Sequence, residues 1–548
     1  MDRDFEKRFF TSVLLMVVFF GFYLYLFNQM GKKSSSSPLS GEISTNTNVL
    51  TQMAPLKIMA LSNVPSTNIS LKTPLVRLDL SSEGGGVSHL SVDGPWNQSK
   101  SPVSLLSSLG VRYGSLQWEK DSTNILGFSL VSATETKAEW KGFLVWNTTP
   151  LDVRVSYELL SNYTFVQHVI ISNTGKEAAK IDYQGRSFLL RWRPDIMSTN
   201  EAGTGNMQTY GALVGKKFLP LLKKGLFSSP QNVTFLSNFQ WVSVADNYFV
   251  FIAEPESSGI SASYEVESRY KTVEKTALTL YLPVLLLGAG EATNFTIHYY
   301  CGPRKESLLR QVNLTYGQLF RWPTIFAWFM KPIEWAMVWL LNVLGGWITN
   351  KGIVIILIAL MVKLLLSPLS IQAAVSVKKQ QLLQPKLKNI QEKYKDNQQV
   401  LQQKIMELYR KEKINPLGGC WPLLLQIPVF FALYRVLSHS VELKGATFLW
   451  IKDLTQPDTL FTMNIPFLPH QFNLLPLIMT AIQLLQTRLQ TAKNPAMKGQ
   501  ELNMYLLPLV FLFLFWNMPS GLVLYWTIQN IYTIIEQEII NLDRHIRL

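Results

Sequence analysis

The chain has 548 residues, of which 47% are hydrophobic and only 16% charged, with 15 Trp and 30 Phe. Soluble domains carry more charge, about 25%, so composition argues against a wholly soluble protein and for a membrane one. Of the net charge of +14, +6 lies in residues 378–413, immediately beside an apolar span, and no recognisable nucleic-acid module accompanies it, which favours anionic lipid headgroups or ribosomal RNA over DNA.

The sequence has no GxSxG, Walker loop or HExxH motif, its six histidines are scattered, and neither Cys301 nor Cys420 has metal-ligand spacing around it. No enzyme, metal or cofactor is expected. Phe9 to Phe27 is an apolar run of about 19 residues, preceded by Arg3, Lys7 and Arg8. It is too long for a signal-peptide core and no A-x-A site follows, so residues 1–30 read as an uncleaved transmembrane anchor. Residues 31–55, Ser- and Asn-rich, read as a flexible linker.

From 56 to 316 the pattern changes to period two. VRLDL (Val76–Leu80), VRVSYEL (Val153–Leu159), TFVQHVII (Thr164–Ile171) and ASYEVES (Ala262–Ser268) alternate as half-buried strands do, with glycine turns such as Gly84-Gly85-Gly86 between them. The expectation is a large all-β sandwich. Residues 317–350 are dense in Trp but cut by Pro332 and Gly345-Gly346, leaving a piece too short to cross a bilayer. They read as an interfacial helix.

Residues 351–548 form the core, with spans expected at 352–370, 421–438, 472–487, 504–518 and 520–541. A cytoplasmic helical hairpin, 372–413, interrupts them. From Lys378 to Lys413 this loop holds ten Lys/Arg against four Asp/Glu, among them Lys378, Lys379, Lys386, Lys388, Lys393 and Lys395. The Lys/Arg bias of short loops then puts the hairpin and the N-terminus in the cytoplasm and the β domain outside.

Polar side chains within the spans cluster toward the cytoplasmic side. Lys363, Ser367 and Ser370 share one helical face, and Gln426 opens the next span. Thr480, Gln483 and Gln486 follow on the third, and Thr527, Asn530 and Thr533 on the last. An ammonium in a hydrophobic span costs roughly 2.5–3.5 kcal/mol on insertion scales, so a compensating partner or water is required. Snorkelling of Lys363 to the interface is the plainer reading. Four half-polar spans favour instead one hydrophilic groove, open to the cytoplasm and closed outside. Such a groove suits a guest that comes from the cytoplasm and leaves sideways into lipid.

These residues resemble the YidC-type membrane protein insertases, most densely in LLQPKLKNIQEKY (382–394), INPLGGCWPLLLQIPVFFALYRVL (414–437) and PSGLVLYW (519–526). WVSVADNYFVFIAEP (241–255) resembles the outer domain of the Gram-negative members. The resemblance implies an α-helical membrane bundle, one N-terminal anchor plus a five-span core, carrying a β-supersandwich outer domain. It implies an inner-membrane insertase or chaperone for nascent membrane proteins, working alone or with the Sec translocon and meeting ribosomes through its cytoplasmic parts. It also implies a groove charge, usually arginine, matched here by Lys363, and substrate contacts near Phe430, Phe431, Tyr525 and Trp526. Arginine's planar fork is lost with lysine, while its charge is kept. A transporter with an outer binding domain and a structural assembly scaffold are the alternatives. For the hairpin, a merely solvated charged face competes with recruitment of a ribosome or substrate.

Overall fold

The computed structural model describes residues 58–60, 67–96, 102–106, 113–118, 127–193, 209–222, 234–269, 273–320, 324–394, 397–412, 421–462, 471–492 and 501–542. The expected anchor (1–30) and linker (31–55) lie outside the described residues, as do Lys395 and Cys420. The chain divides into two compact units, essentially the strands up to Ala327 and the helices from Trp328 onward.

In the first unit, the four segments read as strands lie within Val76–Ser81, Thr149–Leu159, Thr164–Asn173 and Ser261–Arg269. Alternation places their side chains. Lys137–Trp146 turns Ala138, Trp140, Leu144 and Trp146 inward and leaves Lys137, Lys141 and Phe143 outward. A ten-stranded antiparallel sheet is centred on Thr164–Asn173 and Ala292–Pro303, and a five-stranded sheet contains Leu189–Trp192 and Ser261–Arg269. Trp192 of the smaller sheet lies 6.0, 5.0 and 4.7 Å (ring centroids) from Phe165, Phe251 and Tyr299 of the larger one. Their inner faces therefore meet, as a β-sandwich requires.

One polar cluster sits inside this core. Gln167 donates to Tyr157 Oη and to the Gly114 carbonyl, both at 2.8 Å, and accepts from Tyr299 Oη at 2.9 Å. Trp192 Nε1 donates to the same Tyr299 oxygen at 3.2 Å. Gly114 is obligatory there: its φ is +63° and a Cβ would lie 2.3 Å from Trp192 Cζ2. After the last strand, helix α1 (Glu306–Val312) and a 3-10 turn (Leu314–Phe320) fold back on the sheet. Asn313 and Tyr316 both donate to the Glu254 carboxylate, at 3.0 and 2.6 Å. The domain thus runs to Phe320, past the expected end at 316.

The second unit contains helices α2 (Thr324–Trp347), α3 (Lys351–Leu382), α4 (Gln384–Lys393), α5 (Gln398–Lys411), α6 (Trp421–His439), α7 (Leu474–Ala492), α8 (Glu501–Phe515) and α9 (Ser520–Leu542). Two expectations are corrected here. Pro332 and Gly345-Gly346 do not cut the Trp-rich segment, because α2 continues through them for 24 residues. An interior proline removes one helical hydrogen bond and crowds the carbonyl four residues back, a local cost that packing along α2 offsets. Met337 and Leu341 are buried, while Trp328, Trp335, Trp339 and Trp347 stay exposed. Glu334 also pairs with Arg435 of α6 at 3.2 Å. The amphipathic face survives; the short length does not.

The second correction concerns α3, which does not stop at Ser370 but runs 32 residues to Leu382. Residues 371–382 are rich in Ala, Gln and Lys, which favour helix. The hairpin therefore begins as a continuation of the first core span. Pro368 lacks the N–H that would reach the Leu364 carbonyl, and Ser367 Oγ donates to that carbonyl at 2.9 Å. Among the described residues, Lys351–Ala373 is the one helix long and apolar enough to cross a membrane, with shorter apolar helices at Leu474–Leu489 and Tyr505–Phe515.

Candidate functional site

Helix α9 is the centre of the bundle, packing on α3, α6 and α7. One end of this assembly is closed by the segment between α6 and α7. Leu443, Ala446, Ile451 and Leu454 are buried there, and Phe448 lies so near Gly352 that a Cβ would meet its ring at 2.1 Å. The first N–H groups of a helix need acceptors. The N–H groups of Ser520 and Gly521 donate to the Gln456 and Leu454 carbonyls at 2.8 Å each, and Leu475 N–H donates to Asp458 at 2.6 Å. Burial holds the carboxyls of both Asp453 and Asp458 above their ordinary range.

Away from that closed end, Lys363 is neither free nor snorkelling. Its Nζ lies 3.2 Å from Glu536 Oε2 on α9, and the two side chains are only 13% and 9% exposed. Ser370 donates to the other oxygen, Glu536 Oε1, and the Tyr532 ring lies 5.8 Å from the ammonium. One carboxylate thus gathers the first and third polar residues of the α3 face. The second, Ser367, serves its own backbone. Close by, Gln529 Nε2 donates to the Ala359 carbonyl at 2.7 Å. The stripe of α9 that meets these groups of α3 is therefore Gln529, Tyr532 and Glu536.

The hydroxyls read from the sequence as groove lining are mostly satisfied within their own helices. Thr480, Thr527 and Thr533 donate to the carbonyls of Pro476, Val523 and Gln529 at 2.7–2.8 Å. Thr480, Gln483 and Thr527 are also buried. A hydroxyl bonded to its own backbone exposes little polarity. The amides differ. Gln483 Oε1 and Asn530 Nδ2 are buried without a hydrogen-bond partner among the described residues, as is Trp526 Nε1. Gln426 Nε2 donates to Tyr525 Oη at 3.1 Å.

Of the aromatic residues, Phe430 lies 5.5 Å from both Phe431 and Trp526, and 5.8 Å from Phe515. Trp526 also meets Phe511 and Phe515. These rings form one apolar wall across α6, α8 and α9.

In the hairpin, Lys378 and Lys379 lie in the last turns of α3, and Lys386, Lys388 and Lys393 on α4. Lys386 reaches across to Glu412 at 2.7 Å, an exposed pair that joins the two arms. Exposed pairs of this kind contribute little to stability.

Glu536 escaped the reading of the sequence, although a signal was present. Between 472 and 542 the only acids are Glu501, Glu536 and Glu538, and a buried ammonium calls for one of them. The first unit holds a cavity of about 390 Å³ lined by Glu254, Glu256, His298 and Asn313, among others. Glu254 is engaged there by Asn313 and Tyr316, so it fastens the closing segment of the domain.

Two family models match this chain. The one described as 60Kd inner membrane protein covers residues 343–546, and the one described as YidC periplasmic domain covers residues 68–336. The chain belongs to the YidC family. Members are inner-membrane proteins with a periplasmic domain, and both parts are matched here. The protein called membrane protein insertase YidC in Rickettsia canadensis (strain McKiel) is 36% identical over 317 residues, 56% of this chain and 56% of that protein. Its namesake in Pelobacter propionicus is 37% identical over 307 residues, 56% and 54% of the two chains. The chain thus spans about half the length of the curated relatives it matches. A crystal structure described as the active YidC insertase with its first transmembrane domain resolved is 17% identical with a TM-score of 0.36, covering 88% of this chain and 93% of that one. The YidC core match contains α3 to α9, and with them Lys363 and Glu536.

Proposed function

We propose that this chain is a membrane protein insertase, not an enzyme. It accepts nascent membrane proteins from the cytoplasm and releases their hydrophobic segments sideways into lipid. The observation that carries this reading is the mostly buried Lys363–Glu536 pair on α3 and α9, in a bundle whose remote end is closed by the 440–462 segment. Buried intramembrane charges usually face a bundle interior or a wet cavity. A polar centre with one end shut favours a guest drawn partway in over a solute carried across. The aromatic wall of Phe430, Phe431 and Trp526 then supplies apolar surface for the client's hydrophobic segment, with Tyr525 held by Gln426.

The finer topology belongs to the same proposal: residues 1–30 as anchor with a cytoplasmic N-terminus, five spans in 351–548, and α2 lying at the outer interface on its exposed Trp face. The basic hairpin, from Lys378 to Lys413, serves contacts with anionic lipids and the ribosome, and the Sec translocon is the expected partner for larger clients. The test uses the full chain in liposomes free of other translocation components, with a small client bearing an acidic outer tail. Tail protection from protease, lost with Lys363→Glu, supports the insertase. No protection above empty liposomes refutes autonomous insertion and favours a scaffold that assembles what others insert.

A further inference from the structure

Lys363 has an acid already. Glu536 lies 3.2 Å from its ammonium, and neither side chain is more than 13% exposed. Ser370 holds the second carboxylate oxygen. A client carboxylate approaching this site meets a nearly neutral pair instead of a bare cation. The attraction between opposite charges falls off with their separation. A pair at contact distance therefore cancels most of the field that a lone ammonium would project. To contact Lys363 closely, the client's acid has to take the place of Glu536.

We propose that Glu536 is a built-in substitute for the client's acidic group, a specificity-determining residue that occupies Lys363 in the resting groove and sets how acidic a tail must be to displace it. The proposal rests on the insertase reading above. Displacement is an exchange of one carboxylate for another at Lys363, so it needs no bond chemistry. Ser370 biases the exchange toward rest, because its hydroxyl binds Glu536 in the resting state and must be released or turned to the newcomer. Glu536 is held at contact distance by its own helix, so a client with one acidic residue competes at a disadvantage, and added acidic residues raise the local supply of competitors. The resting pair also spares the empty groove an uncompensated charge, which is costly in a membrane interior.

The experiment uses the full chain in liposomes of neutral lipid, with a client series whose outer tails carry no, one, two or three Asp residues. Protease protection is read for each tail. With the wild-type chain, protection climbs as acidic residues are added. Glu536→Gln keeps the side-chain shape and one acceptor oxygen but removes the charge that occupies Lys363. It is expected to raise protection of the one-Asp tail several-fold, to the level that the wild type reaches only with more Asp residues. Ser370→Ala moves the curve in the same direction by less, and it decides the matter if the Gln variant melts early in detergent. The double variant Lys363→Gln, Glu536→Gln loses the dependence on acidic residues. An unchanged curve with Glu536→Gln and Ser370→Ala, while Lys363→Gln alone flattens it, overturns the proposal and leaves the insertase reading standing. No protection of any tail by the wild type overturns both.

Discussion

The Lys363–Glu536 pair makes a stability prediction that is independent of any client. At 3.2 Å and an effective dielectric of about 20, the attraction is roughly 5 kcal/mol before the desolvation of both groups is counted. Removing one partner of a buried pair strands the other, at a cost of about 3–5 kcal/mol, whereas replacing both with apolar groups is often neutral. Lys363→Met and Glu536→Leu should therefore each lower stability by about 3 kcal/mol, and the double variant by no more than about 1 kcal/mol. The implied coupling is at least about 5 kcal/mol, above the roughly 0.5–3 kcal/mol usual for residues in contact. Reversible unfolding in mixed micelles, titrated with a denaturing detergent and followed by Trp fluorescence, measures all four corners of the cycle. Single effects that simply add, with coupling below about 0.5 kcal/mol, would refute the buried-pair reasoning.

Three further predictions concern other parts of the chain. Gly114→Ala combines a left-handed φ with a Cβ 2.3 Å from the Trp192 ring. A loss of about 2–4 kcal/mol is expected in the melting of the β domain by near-ultraviolet dichroism. Gln167→Leu leaves the Tyr157 and Tyr299 hydroxyls and the Gly114 carbonyl without their shared partner. The same melt should show a loss of about 2–4 kcal/mol, more than an exposed Gln→Leu change can produce. Asp453 and Asp458, in the segment between α6 and α7, have folded pKa values raised by burial above the ordinary 3.8. The native state therefore binds more protons than the unfolded state between that value and the raised ones. Their contribution is most favourable below 3.8 and is lost as pH rises through the folded values. Asp453→Asn with Asp458→Asn keeps the acceptor oxygens and should flatten this slope, as read from unfolding midpoints across the acidic range. An identical slope in the double variant would exclude these carboxyls as its source.

Much of the architecture is written in local patterns. Period-two alternation in VRVSYEL and TFVQHVII marks the strands of Thr149–Leu159 and Thr164–Asn173, because the faces of a sheet meet core and solvent alternately. The apolar runs mark α3, α6, α7, α8 and α9 to within a few residues at most ends. Element ends were less legible. Pro332 and Gly345-Gly346 look like breaks, yet α2 runs through them, since packing outweighs the local cost of the proline and the glycines.

The site divides along the same line. The sequence alone determined that an ammonium at Lys363, in the middle of an apolar span, needs compensation, because that demand follows from the cost of charge in a low-dielectric medium. It also determined which face of α3 carries Ser367 and Ser370, through helical spacing. Only the tertiary structure decided that Glu536 answers Lys363. It also decided that Ser370 belongs to that carboxylate while Ser367 mends the carbonyl freed by Pro368. Helix periodicity fixes which residues share a face but not which face of another helix it meets. That choice depends on the rotation of α9 against α3, set by side-chain packing along both helices, and no local pattern in either segment encodes it.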